Sequence, residues 1–212
     1  MALPIESRSR LLFIGDSITD CGRRDDAEAI GQGYVRLIRD YLRAKHPQTA
    51  PHVLNLGVSG DTVLDLAARW RNDVLEHAPD VVSILIGVND VWHRLERVGN
   101  GGVAVDRYIE VYAGLLEQMR ELRPACAIVL CEPTVILPPS HPRGQSELAA
   151  YVDAVHDLAA RFGAQATPPL HSAFVAACKF RPDIEWTSDG VHPTSSGHML
   201  IARTWLESTA LL

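Results

Sequence analysis

The sequence predicts an α/β fold built on a mainly parallel sheet, and three observations carry that expectation. Short apolar runs recur at residues 11–15, His52–Leu56, Val81–Ile86 and Ala127–Cys131. The first of them is apolar without alternation, as a strand buried on both faces of a parallel sheet is. Amphipathic helical patterns lie between the runs, and this alternation implies βαβ units with right-handed crossovers.

Each element follows from its residue types. Leu11-Leu12-Phe13-Ile14 stops abruptly at Gly15, then an acid and a hydroxyl. Tyr34, Val35, Leu37, Ile38, Tyr41 and Leu42 keep the i, i+3/i+4 spacing of an amphipathic helix. Val63, Leu64, Leu66, Ala67 and Trp70 keep it too, behind Asp61 or Thr62 as N-cap. The clearest helix runs through Tyr108, Val111, Tyr112, Leu115, Leu116, Met119 and Leu122, and Pro124 closes it. Further helices are expected at about Ser146–Phe162 and from Ser195 to the C-terminus. A fifth strand is placed near Gly163–Thr167: its composition has low β-propensity, but the flanking helical patterns need a connection across the sheet. Pro133–Pro142 is too short for a domain linker and reads as a loop at the sheet's carboxyl edge. Trp70 and Trp205 lie on apolar helical stripes and read as core, with Arg69 and Arg71 as surface charges beside Trp70. No repeat or linker divides the chain, so one domain spanning residues 1–212 is expected.

Bulk properties exclude several classes. At 212 residues, 47% hydrophobic and 22% charged, the chain resembles an ordinary globular protein. The net charge of -6 gives no basic footprint for nucleic acid. Arg23-Arg24 are cancelled at once by Asp25-Asp26, which reads as a solvated turn. Met1–Glu6 lacks the basic n-region of a secretory signal. No apolar run approaches the roughly 20 residues that span a bilayer, so no membrane partner is expected. The four cysteines lack C-x-x-C spacing and read as reduced thiols, and a cytoplasmic location is expected. Seven histidines (His46, His52, His77, His93, His141, His156 and His171) are scattered without ligand spacing. No phosphate-binding glycine pattern occurs, and neither a metal nor a cofactor is expected.

The chemistry-bearing residues fall just after expected strands, where open α/β sheets place their ligands. Ser17 follows the first strand, Gly57-Val58-Ser59-Gly60-Asp61 the second and Gly87-Val88-Asn89-Asp90 the third. Serine is a weak nucleophile that needs a base and an anion-stabilising pocket. Asp189-Gly190-Val191-His192 supplies an imidazole and a carboxylate to orient it within a single turn. Ser17 Oγ would attack an ester carbonyl, His192 would take its proton, and Asp189 would hold the imidazole tautomer and stabilise the imidazolium. The amides of Ser17 and Gly60 and the side chain of Asn89 would form the oxyanion hole. Singly, these stretches read as turns, a capped helix start or a pair of metal ligands. Together, in this order, they describe acyl transfer.

These stretches resemble the SGNH hydrolases, also called GDSL esterases: Ser17 in Gly-Asp-Ser, Gly60 in Gly-Val-Ser-Gly-Asp, Asn89 in Gly-Val-Asn-Asp and His192 in Asp-Gly-Val-His-Pro. The resemblance implies a three-layer α/β/α sandwich, flavodoxin-like, around a parallel sheet of about five strands, and assigns the same roles to Ser17, Gly60, Asn89, Asp189 and His192. The opening Leu11–Arg23, Ala68-Arg69-Trp70, Val88–Trp92, Val191-His192-Pro193 and Gly197-His198-Met199 are similar to intracellular bacterial acetylxylan esterases of that family. This implies an acetylated xylo-oligosaccharide as the small-molecule substrate and, by analogy, a homo-oligomer. Other esterase activities of the family stand as alternatives (broad carboxylesterase, lysophospholipase, thioesterase), as does a non-catalytic carbohydrate-binding protein.

Trp92 and Trp186 lie three positions from Asn89 and Asp189. Each reads either as a wall for the substrate or as core packing. Asp16 and Asp90 adjoin the motif residues and read as shapers of their loops, with Asp16 also a candidate for substrate contact. His198 reads as a helix-face residue. Ser59 has no base paired with it. The active form requires neutral His192, so activity is expected to rise with pH as that imidazole loses its proton.

Overall fold

The structure is a computed structural model that describes residues 3, 5, 9–97, 101–138 and 140–212. Of Met1–Glu6, read above for a signal, all but two residues lie outside this set, as does Pro139 of the Pro-rich loop.

Four strands form one parallel sheet: β1 (Arg10–Gly15), β2 (His52–Asn55), β3 (Val81–Leu85) and β4 (Ala127–Leu130), in the order β2-β1-β3-β4. Leu11, Leu12, Phe13 and Ile14 are wholly inaccessible to solvent, as an unalternated apolar run in a doubly covered sheet should be. Phe13 stands opposite both Asn55 and Ser83, and Gly15 opposite Leu85. The chain steps from β1 outward to β2 and returns on the other side of β1 as β3. That reversal is the topological switch point at which doubly wound sheets open a crevice.

The helices are α1 (Ser17–Asp20), α2 (Tyr34–Lys45), α3 (Val63–Trp70), α4 (Val88–Glu96), α5 (Val105–Leu122), α6 (Gly144–Phe162), α7 (Leu170–Phe180) and α8 (Ser195–Ser208). They cover both faces of the sheet and complete the α/β/α sandwich. In one layer α8 packs against α2 and α7, and in the other α5 packs against α3 and α6. Phe13 joins β1 to the first layer, its ring 5.8 Å from Tyr34 and 5.2 Å from Trp205. Trp205 Nε1 donates to Ser83 Oγ on β3 at 2.9 Å, so the indole buries its area without stranding its one polar atom. Trp70 and Trp205 are both core.

The sheet differs from expectation at its far edge. In place of a fifth strand at Gly163–Thr167, Ala166 makes a single parallel bridge to Val129. Gln165 and Ala166 pair with Ile128 and Leu130 through main-chain bonds, but Pro168 and Pro169 follow and have no N–H to extend the ladder. Three helices were not anticipated, the first being the four-residue α1 straight after β1. α4 begins inside Gly-Val-Asn-Asp, whose residues favour turns, and α7 follows Pro169 without a side-chain cap. Among the described residues, no helix is long and apolar enough to cross a membrane.

Trp205→Ala should lower the free energy of unfolding by about 3–5 kcal/mol, because it opens a cavity beside Phe13 and leaves Ser83 without its donor. Urea unfolding should show an earlier midpoint at unchanged slope.

Candidate active site

Ser17 is placed by the way β1 ends. A Cβ on Gly15 would stand 2.1 Å from the Leu85 carbonyl oxygen, so only glycine lets β1 lie this close to β3 there. Asp16 then caps α1, its Oδ1 accepting from the Ile18 N–H at 3.0 Å. Ser17 is the first residue of that turn and is half-buried.

The base arrives on the loop before α8. An antiparallel bridge between Thr187 and Pro193 and the Ser188 N–H donating to the His192 carbonyl close this loop into a tight turn. Asp189 Oδ1 accepts from the backbone N–H groups of Val191 and His192 at 2.9 and 2.7 Å. Its other oxygen lies 2.6 Å from His192 Nδ1. Since a carboxylate can only accept, Nδ1 carries the proton and Nε2 is left as an acceptor. Ser17 Oγ lies 3.0 Å from that Nε2. The Pro-rich loop braces the turn from behind, with the Leu137 N–H donating to the Gly190 carbonyl at 2.8 Å. The expected place of that loop is therefore the observed one.

The loops after β2 and β3 meet the end of β1. The Val58 N–H donates to the Gly15 carbonyl, and Ser59 donates through Oγ and N–H to Asp20 Oδ2. Ser59 thus holds a loop together and faces no base. Gly60 is exposed with φ +88°, a conformation that costs other residues roughly 1–2 kcal/mol. Asn89, buried in the first turn of α4, donates through Nδ2 to the Asp61 carbonyl at 3.0 Å. A primary amide has two N–H bonds, so Asn89 retains one for a developing oxyanion. The five residues Ser17, Gly60, Asn89, Asp189 and His192 are brought to one edge of the sheet.

Charge is distributed unevenly here. Partial burial tends to raise the Asp189 carboxyl, but the hydrogen bonds from His192 and Val191 outweigh it and hold the group below its ordinary range. Burial pushes Asp16 up to about 7, against the opposing hydrogen bond from Ile18. Asp90, which accepts from the Val63 N–H, is likewise pushed up by burial to about 7. Both shape loops, as expected. Asp16 is almost fully enclosed by protein. His198 is buried, accepts from the Tyr34 N–H at Nδ1 and lies 3.4 Å from Cys21 Sγ. Burial and the nearby His192 bring it down to about 4, so it is a neutral core group and not an exposed helix-face residue.

Two arginines read as solvated are not. Arg69 is mostly buried and bonds to both Asp61 and Asp73, while Arg71 is exposed as expected. Arg23 Nε donates to the Gly57 carbonyl at 2.6 Å. Local charge cancellation in sequence gave no hint of either. Trp92 packs partly against the core. Trp186 is half-buried beside α8 and lines a cavity of about 420 Å³ with Ser195, Met199 and Arg203. The His192 and Asp189 side chains are 43% and 53% exposed, so the site is a shallow, open crevice. A larger cavity, about 940 Å³, lies at the opposite edge beside Arg10, His52 and His77, remote from this chemistry. Among the described residues, no group of His, Cys, Asp or Glu side chains could hold a metal ion.

A hydroxyl, an imidazole and a carboxylate chained by two hydrogen bonds at the carboxyl edge of a parallel α/β sheet define a serine hydrolase arrangement. Residues 13–200 match the GDSL-like Lipase/Acylhydrolase family. The chain belongs to that family and is a carboxylic ester hydrolase. It is 36% identical over 211 residues to an acetylxylan esterase of Geobacillus stearothermophilus, covering 96% of this chain and 95% of that one. The crystal structure of Axe2, an acetylxylan esterase from Geobacillus stearothermophilus, superimposes with a TM-score of 0.85 at 35% identity, covering 97% of this chain and 95% of that chain. Alanine variants of a serine, an aspartate and a histidine in Axe2 are described as catalytic mutants. A protein of Parabacteroides merdae described as GDSL-like superimposes with a TM-score of 0.89 at 34% identity over the full length of both chains.

The buried carboxyl of Asp16 has a consequence for stability. Its folded value of about 7 lies above the ordinary unfolded value of about 3.9, so the unfolded chain releases this proton first. Stability from this group is therefore present at low pH and is lost as pH rises from about 4 to about 7. Asp16→Asn keeps an acceptor for Ile18 and removes the titration. The variant should gain stability relative to wild type as pH rises through that window, read by urea unfolding at several pH values. A difference that stays flat with pH contradicts the assignment.

Proposed function

We propose that this esterase removes O-acetyl groups from xylo-oligosaccharides through an acyl-enzyme on Ser17. The hydrogen-bonded chain Ser17–His192–Asp189 carries the chemistry, and likeness to an acetylxylan esterase along nearly the whole length supports the substrate. Ser17 Oγ attacks the acetyl carbonyl as His192 Nε2 takes its proton. The carbonyl oxygen becomes an oxyanion, received by the Ser17 and Gly60 amides and the Asn89 side chain. As the tetrahedral intermediate collapses, His192 returns the proton to the leaving sugar hydroxyl. Water then repeats the sequence on the acetyl-enzyme, releasing acetate and restoring Ser17. Asp189, whose carboxyl is held ionised, stabilises the imidazolium in both halves.

The open crevice suits a substrate whose reacting ester is a short branch on an extended sugar chain. Trp186 stands at its rim in this reading and stacks on a xylose ring, while Trp92, packed against the core, supports α4 behind Asn89. Residues 1–212 act as one catalytic domain, working in the cytoplasm on oligosaccharides already inside the cell.

Acetate release from acetylated xylo-oligosaccharides tests the reaction. Wild type should release acetate rapidly and Ser17→Ala should lose turnover by at least about 10³-fold while retaining its melting temperature. Cleavage confined to longer-chain esters would leave the triad standing and remove the sugar assignment. Trp186→Ala should raise KM for the oligosaccharide several-fold and leave hydrolysis of 4-nitrophenyl acetate, which has no sugar, nearly unchanged. Equal losses on both substrates would refute the stacking role.

A further inference from the structure

Arg69 stands on α3, and its side chain reaches toward the loops that carry the proposed catalytic groups. Nη2 donates to the Gly15 carbonyl at 3.0 Å, and Nη1 to the Leu56 carbonyl at 2.6 Å and to Asp73 Oδ2 at 2.8 Å. Nε donates to Asp61 Oδ2 at 2.6 Å. Gly15 immediately precedes Asp16-Ser17, Leu56 opens the loop that leads to Gly60, and Asp61 immediately follows Gly60. The Asp61 carbonyl is in turn the acceptor for Asn89 Nδ2. One guanidinium is therefore bonded at the roots of the nucleophile and of both further oxyanion donors.

We propose that Arg69 is a positioning residue that clamps the ends of β1 and β2 and the Gly60-Asp61 turn into the geometry that receives the oxyanion. The proposal rests on the roles given above to Ser17, Gly60 and Asn89. A guanidinium suits this task because it is planar and presents five N–H donors in a fixed fork, so its acceptors are held in fixed mutual directions. The Arg69 and Asp61 side chains are only 17% and 9% exposed, which removes the screening that makes surface ion pairs weak. Asp73, four residues on in the π-helical turn Arg71–Leu75 that continues α3, holds the guanidinium as well. Arg69 touches no reacting atom. Without it, Gly60 and the carbonyl that anchors Asn89 lose their common reference to Ser17.

The test uses the whole chain with 4-nitrophenyl acetate. Arg69→Met should lower kcat by about 10²-fold, the scale of a misplacement near 1 Å, while KM moves less than about threefold. Guanidinium chloride at sub-denaturing concentration should restore part of kcat in Arg69→Met and none in wild type. Arg69→Lys keeps the charge without the fork and should lose about 10-fold, and it carries the test if Arg69→Met does not fold. A folded Arg69→Met with wild-type kcat overturns the clamp, as does a loss of kcat that guanidinium leaves untouched. For Arg69→Lys, a wild-type kcat does the same. Ser17→Ala run alongside separates the two ideas. If it stays active, the catalytic reading fails. If it is inactive while Arg69→Met is fully active, only the clamp fails.

Discussion

Because β1 runs between β2 and β3, the chain leaves three neighbouring parallel strands at the same edge, each about 4.8 Å from the next. Everything at the site depends on that adjacency. The tightest point is Gly15, where β1 passes the Leu85 carbonyl too closely for any side chain. From there Asp16 caps a single turn and Ser17 emerges at its start, while the loops after β2 and β3 need only a few residues to arrive alongside. His192 and Asp189 come from a distant part of the sequence, and their turn is closed by its own hydrogen bonds before α8 begins. The nucleophile is thus fixed by the sheet and the base by a tight turn that the Pro-rich loop braces, with one hydrogen bond between them.

Close approach of these loops buries carboxyl groups that an esterase mechanism does not itself require. Asp16 and Asp90 are enclosed and pushed up by burial, whereas Asp61 is accompanied by Arg69 and Asp189 stays half-exposed with His192. Burying an ionised carboxylate is costly unless it is paired, and the four groups occupy the range between neutralisation and pairing. Of these four, Asp189, whose charge the proposed chemistry uses, is the one held below its ordinary range.

The sheet and the motif residues were legible because both are local. Unbroken apolar runs betray buried parallel strands, and Ser17, Gly60, Asn89, Asp189 and His192 stand in short stretches whose positions follow those strands. Long-range side-chain reach left no such trace. Arg69 and Arg23 looked like solvated charges because the main-chain carbonyls they reach, Gly15 and Leu56 for one and Gly57 for the other, have no residue signature. α4 was hidden for a related reason: Asn89-Asp90 favour a turn, yet here Asn89 bonds across to Asp61 and Asp90 accepts from Val63, so tertiary bonds overrode local preference. The fifth strand was inferred from topology, and Pro168-Pro169 cut it to a single bridge.

The most direct measurement is the mass of the Ser17-containing peptide after rapid acid quenching of the enzyme during turnover of an acetylated substrate. An acetyl group on Ser17, formed and lost at rates that match turnover, is the expected result. Steady acetate release with that peptide never acetylated would contradict the acyl-enzyme route and, with it, the role of Ser17 as nucleophile.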